Sequence, residues 1–140
     1  RRRTHPIETT GQLVAVIDSA VPKEVRMRGG HPARRVFQAL RIEVNEELSI
    51  LEEALKAAVG VLCPGGRIAV ITFHSLEDRI VKRTLRNFAA GCICPPRTPV
   101  CICGHQPEVR LIGRAQTARA KECEENPRAH SAKLRIAEKL

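Results

Sequence analysis

The chain has 140 residues, 43% of them hydrophobic, with 24 Lys and Arg against 15 Asp and Glu and a formal charge of +9. That apolar share excludes a disordered polycation. No run approaches the roughly 18 apolar residues of a membrane span, and residues 1–20 lack the apolar core of a signal peptide, so the expected setting is the cytoplasm, with no membrane partner.

Aromatics are scarce, at three Phe with no Trp and no Tyr, which disfavours a base-stacking platform. The positive balance favours a polyanionic partner, most simply nucleic acid. The charge is uneven: residues 1–35 carry net +5, 36–62 net −3, 63–91 net +3 and 92–140 net +4. A solvated, soluble surface is the plain alternative. The chain opens Arg1-Arg2-Arg3 without a Met, as a part of something longer would.

Residues 7–20 suit a short helix closed by Val21-Pro22, and Lys23 to Gly30, with Arg26, Arg28 and Gly29, reads as a basic linker. The strongest helical pattern follows. Phe37, Leu40, Val44, Leu48, Leu51, Leu55, Val59 and Leu62 recur at spacings of three and four. Pro32 fits a first helical turn, and Cys63-Pro64-Gly65-Gly66 ends the helix. Unbroken, 33–62 would span about 45 Å, with a break expected near Asn45 or Ser49. Arg34, Gln38, Arg41 and Asn45 lie beside the apolar stripe at spacings of four, three and four, hence on one face. Such groups suit phosphates and base edges, although a solvated flank has the same pattern.

Residues 67–73 form an almost continuous apolar run, as in a strand buried on both faces of a parallel sheet. A helix over 76–89 follows, which argues for an α/β fold. Phe73-His74-Ser75-Leu76-Glu77-Asp78-Arg79 lies at the strand's carboxyl end, where open α/β sheets place ligands. Ser75 and Asp78 fit a capping box, and Glu77 and Asp78 favour the helix dipole. His74 is left over, as a substrate contact or a hydrogen-bonded core histidine.

Cys92-Ile93-Cys94 and Cys101-Ile102-Cys103 place four thiols in twelve residues. They could hold a tetrahedral zinc, or stay free or redox-active; structural disulfides are disfavoured without an export signal. His105 is close enough in sequence to replace one of them, while Cys63 and Cys123 are isolated. Further strands are expected over 108–113 and 131–137. In the second, Ala132, Leu134 and Ile136 should face inward, with Lys133 and Arg135 outward.

Several segments resemble those of one family. They are His31-Pro32-Ala33-Arg34 through Phe37-Gln38-Ala39-Leu40-Arg41-Ile42 and Val44-Asn45-Glu46-Glu47-Leu48; Pro64-Gly65-Gly66-Arg67 with Phe73-His74-Ser75-Leu76-Glu77-Asp78-Arg79; the cysteine loop; and Glu125-Asn126-Pro127-Arg128 with Ser131-Ala132-Lys133-Leu134-Arg135. The chain is similar over nearly its whole length to the ribosomal RNA small-subunit methyltransferase H (MraW-like) family. His130 stands where that family more usually has Arg.

The resemblance implies an enzyme that methylates N4 of a cytosine in 16S rRNA with S-adenosylmethionine, and the small ribosomal subunit as partner. It implies the C-terminal portion of a class I, Rossmann-like methyltransferase sheet plus the end of a helical insertion domain. Residues 1–30 would end the insertion and 31–140 complete the methyltransferase domain, with a Cys-rich loop at 91–104. Strand 67–73 would be an inner parallel strand, and the two later strands an antiparallel closing pair.

By the same resemblance, Arg34, Gln38, Arg41 and Asn45 face RNA, His74 stands at the crevice as the catalytic candidate, and Arg128, Lys133 and Arg135 hold phosphates. The family's Gly-rich cofactor turn lies upstream of these segments, so no cofactor-binding residue is expected here and residues 1–140 alone are expected to be inactive. A non-catalytic, zinc-stapled RNA-binding module is the competing expectation.

Overall fold

The computed structural model describes residues 6–27, 30–95 and 98–140. Arg1–Arg3, Arg28 and Gly29, used in the expectations above, lie outside the described residues, as do residues 96 and 97 of the cysteine loop. The chain divides into two compact units, 1–47 and 48–140.

In the first unit, α1 spans Thr10–Ala20. Thr9 and Gln12 form a reciprocal capping box: the Gln12 amide donates to Thr9 Oγ1 at 3.2 Å and the Thr9 amide to Gln12 Oε1 at 3.3 Å. The expected linker contains a one-turn helix, α2 (Lys23–Met27). Pro22 explains it, since a proline just ahead of a helix has a preset φ and no amide to leave unpaired.

The third helix, α3, spans Ala33–Val44. Pro32 sits at its N-cap position rather than inside the first turn. Capping comes from His31, whose Nδ1 accepts the Ala33 amide at 3.2 Å. The far side of that ring, Nε2, lies 3.4 Å from Asp18 on α1.

The long helical pattern is broken as expected. After α3, residues 45–48 form a turn in which Glu46 takes φ 52. The second unit opens with α4 (Ser49–Val61). Pro64-Gly65-Gly66 then turns the chain into β1 (Arg67–Thr72). Gly65 has φ +81, and a Cβ on Gly66 would meet the Cys63 carbonyl at 2.8 Å; both positions therefore require glycine. Next come α5 (Ser75–Phe88), β2 (Val109–Thr117), α6 (Ala120–Glu125), a 3₁₀ turn over Pro127–Ser131, and β3 (Lys133–Lys139).

The fold is mixed α/β. The sheet has the order β1-β3-β2, and both pairings are antiparallel. The two late strands pair antiparallel as expected, but β1 has no parallel neighbour among the described residues. Its burial alternates, with Ala69 and Ile71 exposed, so here it is not buried on both faces. The core lies on one side of the sheet: Leu55 and Val59 of α4 and Val81 and Leu85 of α5 pack with Val109 and Ala137. On the other side, Ile71 opposes Leu134 and Ala69 opposes Ile136.

Two strand readings change. β2 continues to Thr117 because Gly113, at φ +65, does not end it. Three residues, Gly113–Ala115, instead stand opposite Arg135 between the pairs Ile112–Ile136 and Gln116–Leu134, a bulge that extrudes Arg114. β3 alternates as expected, but its faces are exchanged. Arg135 turns toward α5, on the same face as fully buried Ala137. The compensation is ionic, as described below.

Candidate nucleic-acid interface and thiol cluster

The turn after β1 is organised by the residue that capping left over in the sequence. His74 is the N-cap of α5, with extended backbone at φ −135 and ψ 161. Its Nδ1 accepts the Glu77 amide at 3.3 Å, and Glu77 Oε2 accepts the Phe73 and His74 amides at 2.9 and 3.2 Å. The box is thus His74–Glu77, one residue earlier than the expected Ser75–Asp78. An imidazole nitrogen serves as acceptor where a hydroxyl is more usual. Nε2 lies 3.2 Å from Glu77 Oε1, though not in hydrogen-bonding geometry.

Asp78 is freed for another task. It is 8% exposed, and its two oxygens accept from Arg135 Nε and a terminal guanidinium nitrogen at 2.7 and 3.1 Å, with Lys133 Nζ at 3.5 Å. The Arg135 hydrogen bond, and then its charge and that of Lys133, outweigh burial and hold the Asp78 carboxyl below the usual carboxylate range. This pairing occupies the guanidinium that the sequence reading gives to phosphate. A second clamp lies on the other sheet face, where Arg67 and Arg110 donate to Glu138 at 2.9 and 2.6 Å. Those hydrogen bonds lower the Glu138 pKa.

The remaining expected RNA residues fall into two groups. On α3, Arg41 pairs with Glu47 through Nε and a terminal nitrogen at 2.9 and 3.0 Å, and Asn45 donates to the same carboxylate at 3.1 Å. Arg34 and Gln38 make no ion pair or side-chain hydrogen bond among the described residues, and Arg34 is exposed. Arg128 is exposed too, and its backbone amide donates to Asn126 Oδ1 at 3.2 Å.

Sequence reasoning missed a further basic face. Arg79, Lys82, Arg83 and Arg86 are exposed on α5 and line a shallow hollow of about 270 Å³ together with Asn87. Their spacing of three, one and three places them on one helical face. Among the described residues, only Arg83 of these four is paired, with Glu52 at 2.9 Å. Arg114, from the β2 bulge, lines an adjoining cleft with Lys82 and Arg86. The helical period is the available signal: the reading that aligns Arg34, Gln38, Arg41 and Asn45 on one face applies equally to these α5 residues.

The four loop cysteines are brought together. The Sγ atoms of Cys92, Cys94, Cys101 and Cys103 all lie within 4.8 Å of one another. Cys63 and Cys123 stand apart from them, and His105 contributes no atom to the cluster. All six cysteines are unbridged. Amides of Ile93 and His105 donate to Cys103 and lower its pKa to about 6. At Cys92 the Cys94 amide pulls downward, but the three neighbouring thiols together outweigh it and push the pKa up to about 12.

Among the described residues, no helix is long and apolar enough to cross a membrane. The turn after β1 is Phe73-His74-Ser75, with no glycine to let a backbone approach a cofactor.

Comparison with known proteins places this geometry in context. A family model described as the MraW methylase family matches residues 1–140. The chain is 57% identical to a Ribosomal RNA small subunit methyltransferase H of Heliobacterium modesticaldum, over 100% of the chain and 45% of that protein. A protein of the same name from Finegoldia magna is 55% identical, over 99% of the chain and 45% of the relative. Another from Symbiobacterium thermophilum is 56% identical, over 99% and 44%. The chain therefore spans a little under half the length of these curated relatives.

Proposed function

The chain belongs to the MraW methylase family, and from that premise we propose that it is the RNA-facing C-terminal part of a small-subunit rRNA methyltransferase. The activity proposed for the whole protein is methyl transfer from S-adenosylmethionine to N4 of a cytosine in 16S rRNA. Residues 1–30 close a helical insertion and 31–140 complete the methyltransferase domain. The observation that carries this reading is the set of exposed basic side chains with no internal partner among the described residues, Arg34 in the first unit and Arg79, Lys82, Arg86, Arg114 and Arg128 in the second, in a chain almost without aromatics. Such side chains bind a phosphate backbone rather than stacking bases.

The turn after β1 offers no glycine for close approach of S-adenosylmethionine, and no cofactor step runs through these residues. What they supply is binding and orientation of RNA, which matters because the target base must be held out of its stack. Arg34, Gln38 and Arg128 make direct contacts. Arg41 and Asn45 engage RNA by exchanging Glu47 for a phosphate or base edge. Lys133 is 43% exposed and reaches phosphate while Arg135 holds Asp78. His74 stands at the carboxyl end of β1, where Nδ1 caps α5 and Nε2 is buried against Glu77, so a substrate contact requires Nε2 to be uncovered.

In the intact protein, Arg34→Ala with Gln38→Ala should weaken 16S rRNA binding about thirtyfold, since each of the two lost contacts costs roughly 1 kcal/mol. S-adenosylmethionine affinity should be unchanged. Equal loss of both affinities contradicts the assignment. The zinc-stapled binding module remains a second reading, favoured by the thiol cluster; an intact protein that binds RNA but no S-adenosylmethionine would establish it.

A further inference from the structure

The segment between α5 and β2 is long, and its described residues form no regular element. Its neck is closed by the Glu108 amide, which donates to the Phe88 carbonyl at 2.7 Å. Inside it, the Thr98 amide and hydroxyl both donate to the Pro95 carbonyl. Its described residues form no apolar core of their own: Ile93, Val100 and Ile102 are 60%, 71% and 85% exposed. A structureless stretch of this length is uncommon in a compact fold unless something ties it together. Where a core is missing, a bound metal is one of the few substitutes.

The only cluster at the centre of this segment, among the described residues, is made of sulfur. Cys92 and Cys101 Sγ are 3.5 Å apart, Cys101 and Cys103 3.5 Å, Cys92 and Cys103 3.8 Å, and Cys94 and Cys101 3.9 Å. A zinc ion with four Zn–S bonds of about 2.3 Å has S···S edges of about 3.8 Å. The observed edges bracket that value. Four neutral thiols have little reason to converge in exposed or half-buried positions, because S–H···S contacts are weak. The backbone is also arranged for negatively charged sulfur: the Cys94 amide donates to Cys92 Sγ at 3.4 Å, and the Ile93 and His105 amides donate to Cys103. Gly104, at φ +59, makes the sharp exit that allows the second of these.

We propose that Cys92, Cys94, Cys101 and Cys103 bind one zinc ion as a closed, structural four-thiolate site that folds the loop between α5 and β2. Soft thiolates in a tetrahedral set select zinc over oxygen-seeking cations, and four protein ligands leave no position open for a substrate or water. The site replaces the missing hydrophobic core of the loop, and this role is independent of methyl transfer. Binding releases the thiol protons, so zinc affinity falls as pH is lowered.

The test is metal analysis of the intact protein, purified without chelator and under reducing, anaerobic conditions. About one zinc per chain is expected. A protein carrying both Cys101→Ser and Cys103→Ser should lose it, while Cys63→Ser should retain it. Cobalt added to the zinc-free protein should give the intense visible bands of a tetrahedral thiolate site, again abolished in the double variant. As a structural readout, limited proteolysis should cut within 92–103 after zinc removal and be suppressed when zinc is restored. Wild-type protein without zinc, zinc that persists in the double variant, iron in its place, or a cleavage pattern indifferent to zinc would each overturn the proposal.

Discussion

Asp78→Ala removes the carboxylate that ties α5 to β3, and its effect can be worked from the geometry. Asp78 is 8% exposed, and the Arg135 side chain, 19% exposed, is left without its bidentate partner. Breaking a fully buried pair from one side costs about 3–5 kcal/mol, whereas losing a surface pair costs about 0–1 kcal/mol. Arg135 keeps some solvent, so about 2–3 kcal/mol is expected.

With a urea slope of about 1 kcal/mol/M for a unit of this size, the unfolding midpoint should fall by about 2–3 M. Far-UV circular dichroism is the suitable probe, since the chain has neither Trp nor Tyr. Asp78→Leu combined with Arg135→Met should recover most of the loss, because both desolvation costs vanish together.

The pH dependence has a definite sign. The Arg135 hydrogen bond lowers the folded-state pKa of Asp78, so the pair's stabilisation is complete above the ordinary Asp value of about 4 and is lost as pH falls through the folded value. The gap between wild type and Asp78→Ala should be constant from about pH 7 to 5 and close below about pH 4. A midpoint within about 0.3 M of wild type, or a gap that persists in acid, would refute the reasoning.

Two other outcomes follow from the same geometry. Glu77→Ala should free the Phe73 and His74 amides and destabilise α5 by about 1 kcal/mol. Faster hydrogen exchange at those two amides is the check, and unchanged exchange would move the cap elsewhere. Reversing two charges on α5, Lys82→Glu with Arg86→Glu, should weaken 16S rRNA binding and make its salt dependence shallower by about two counterions. An unchanged slope would remove α5 from the RNA footprint.

Much of this architecture was legible in the residues. The stripe from Phe37 to Leu62 marks α3 and α4, and the non-glycine turn at Glu46, which no local pattern specifies, is what divides them. β1 reads as doubly buried because Ile68, Ala69, Val70 and Ile71 are composed for two apolar faces, yet the described residues cover only one of them. Capping was read from Ser and Asp, the usual residue types, and the structure used His74 and Glu77. The faces of β3 were exchanged for a related reason. Sequence patterning sends Arg135 to water, and only Asp78, distant in sequence, reveals that a charged side chain can point at a helix. The thiol spacing identified the cluster, but the convergence of sulfurs across residues 92–103 required the fold.

The central proposal is most directly tested by methyl transfer into 16S rRNA. The intact protein should move labelled methyl from S-adenosylmethionine into N4-methylcytidine, and Arg34→Glu should raise the KM for RNA by about tenfold or more while leaving S-adenosylmethionine binding unchanged. Label in a different nucleoside, or no transfer by an intact protein that binds both ligands, would contradict it.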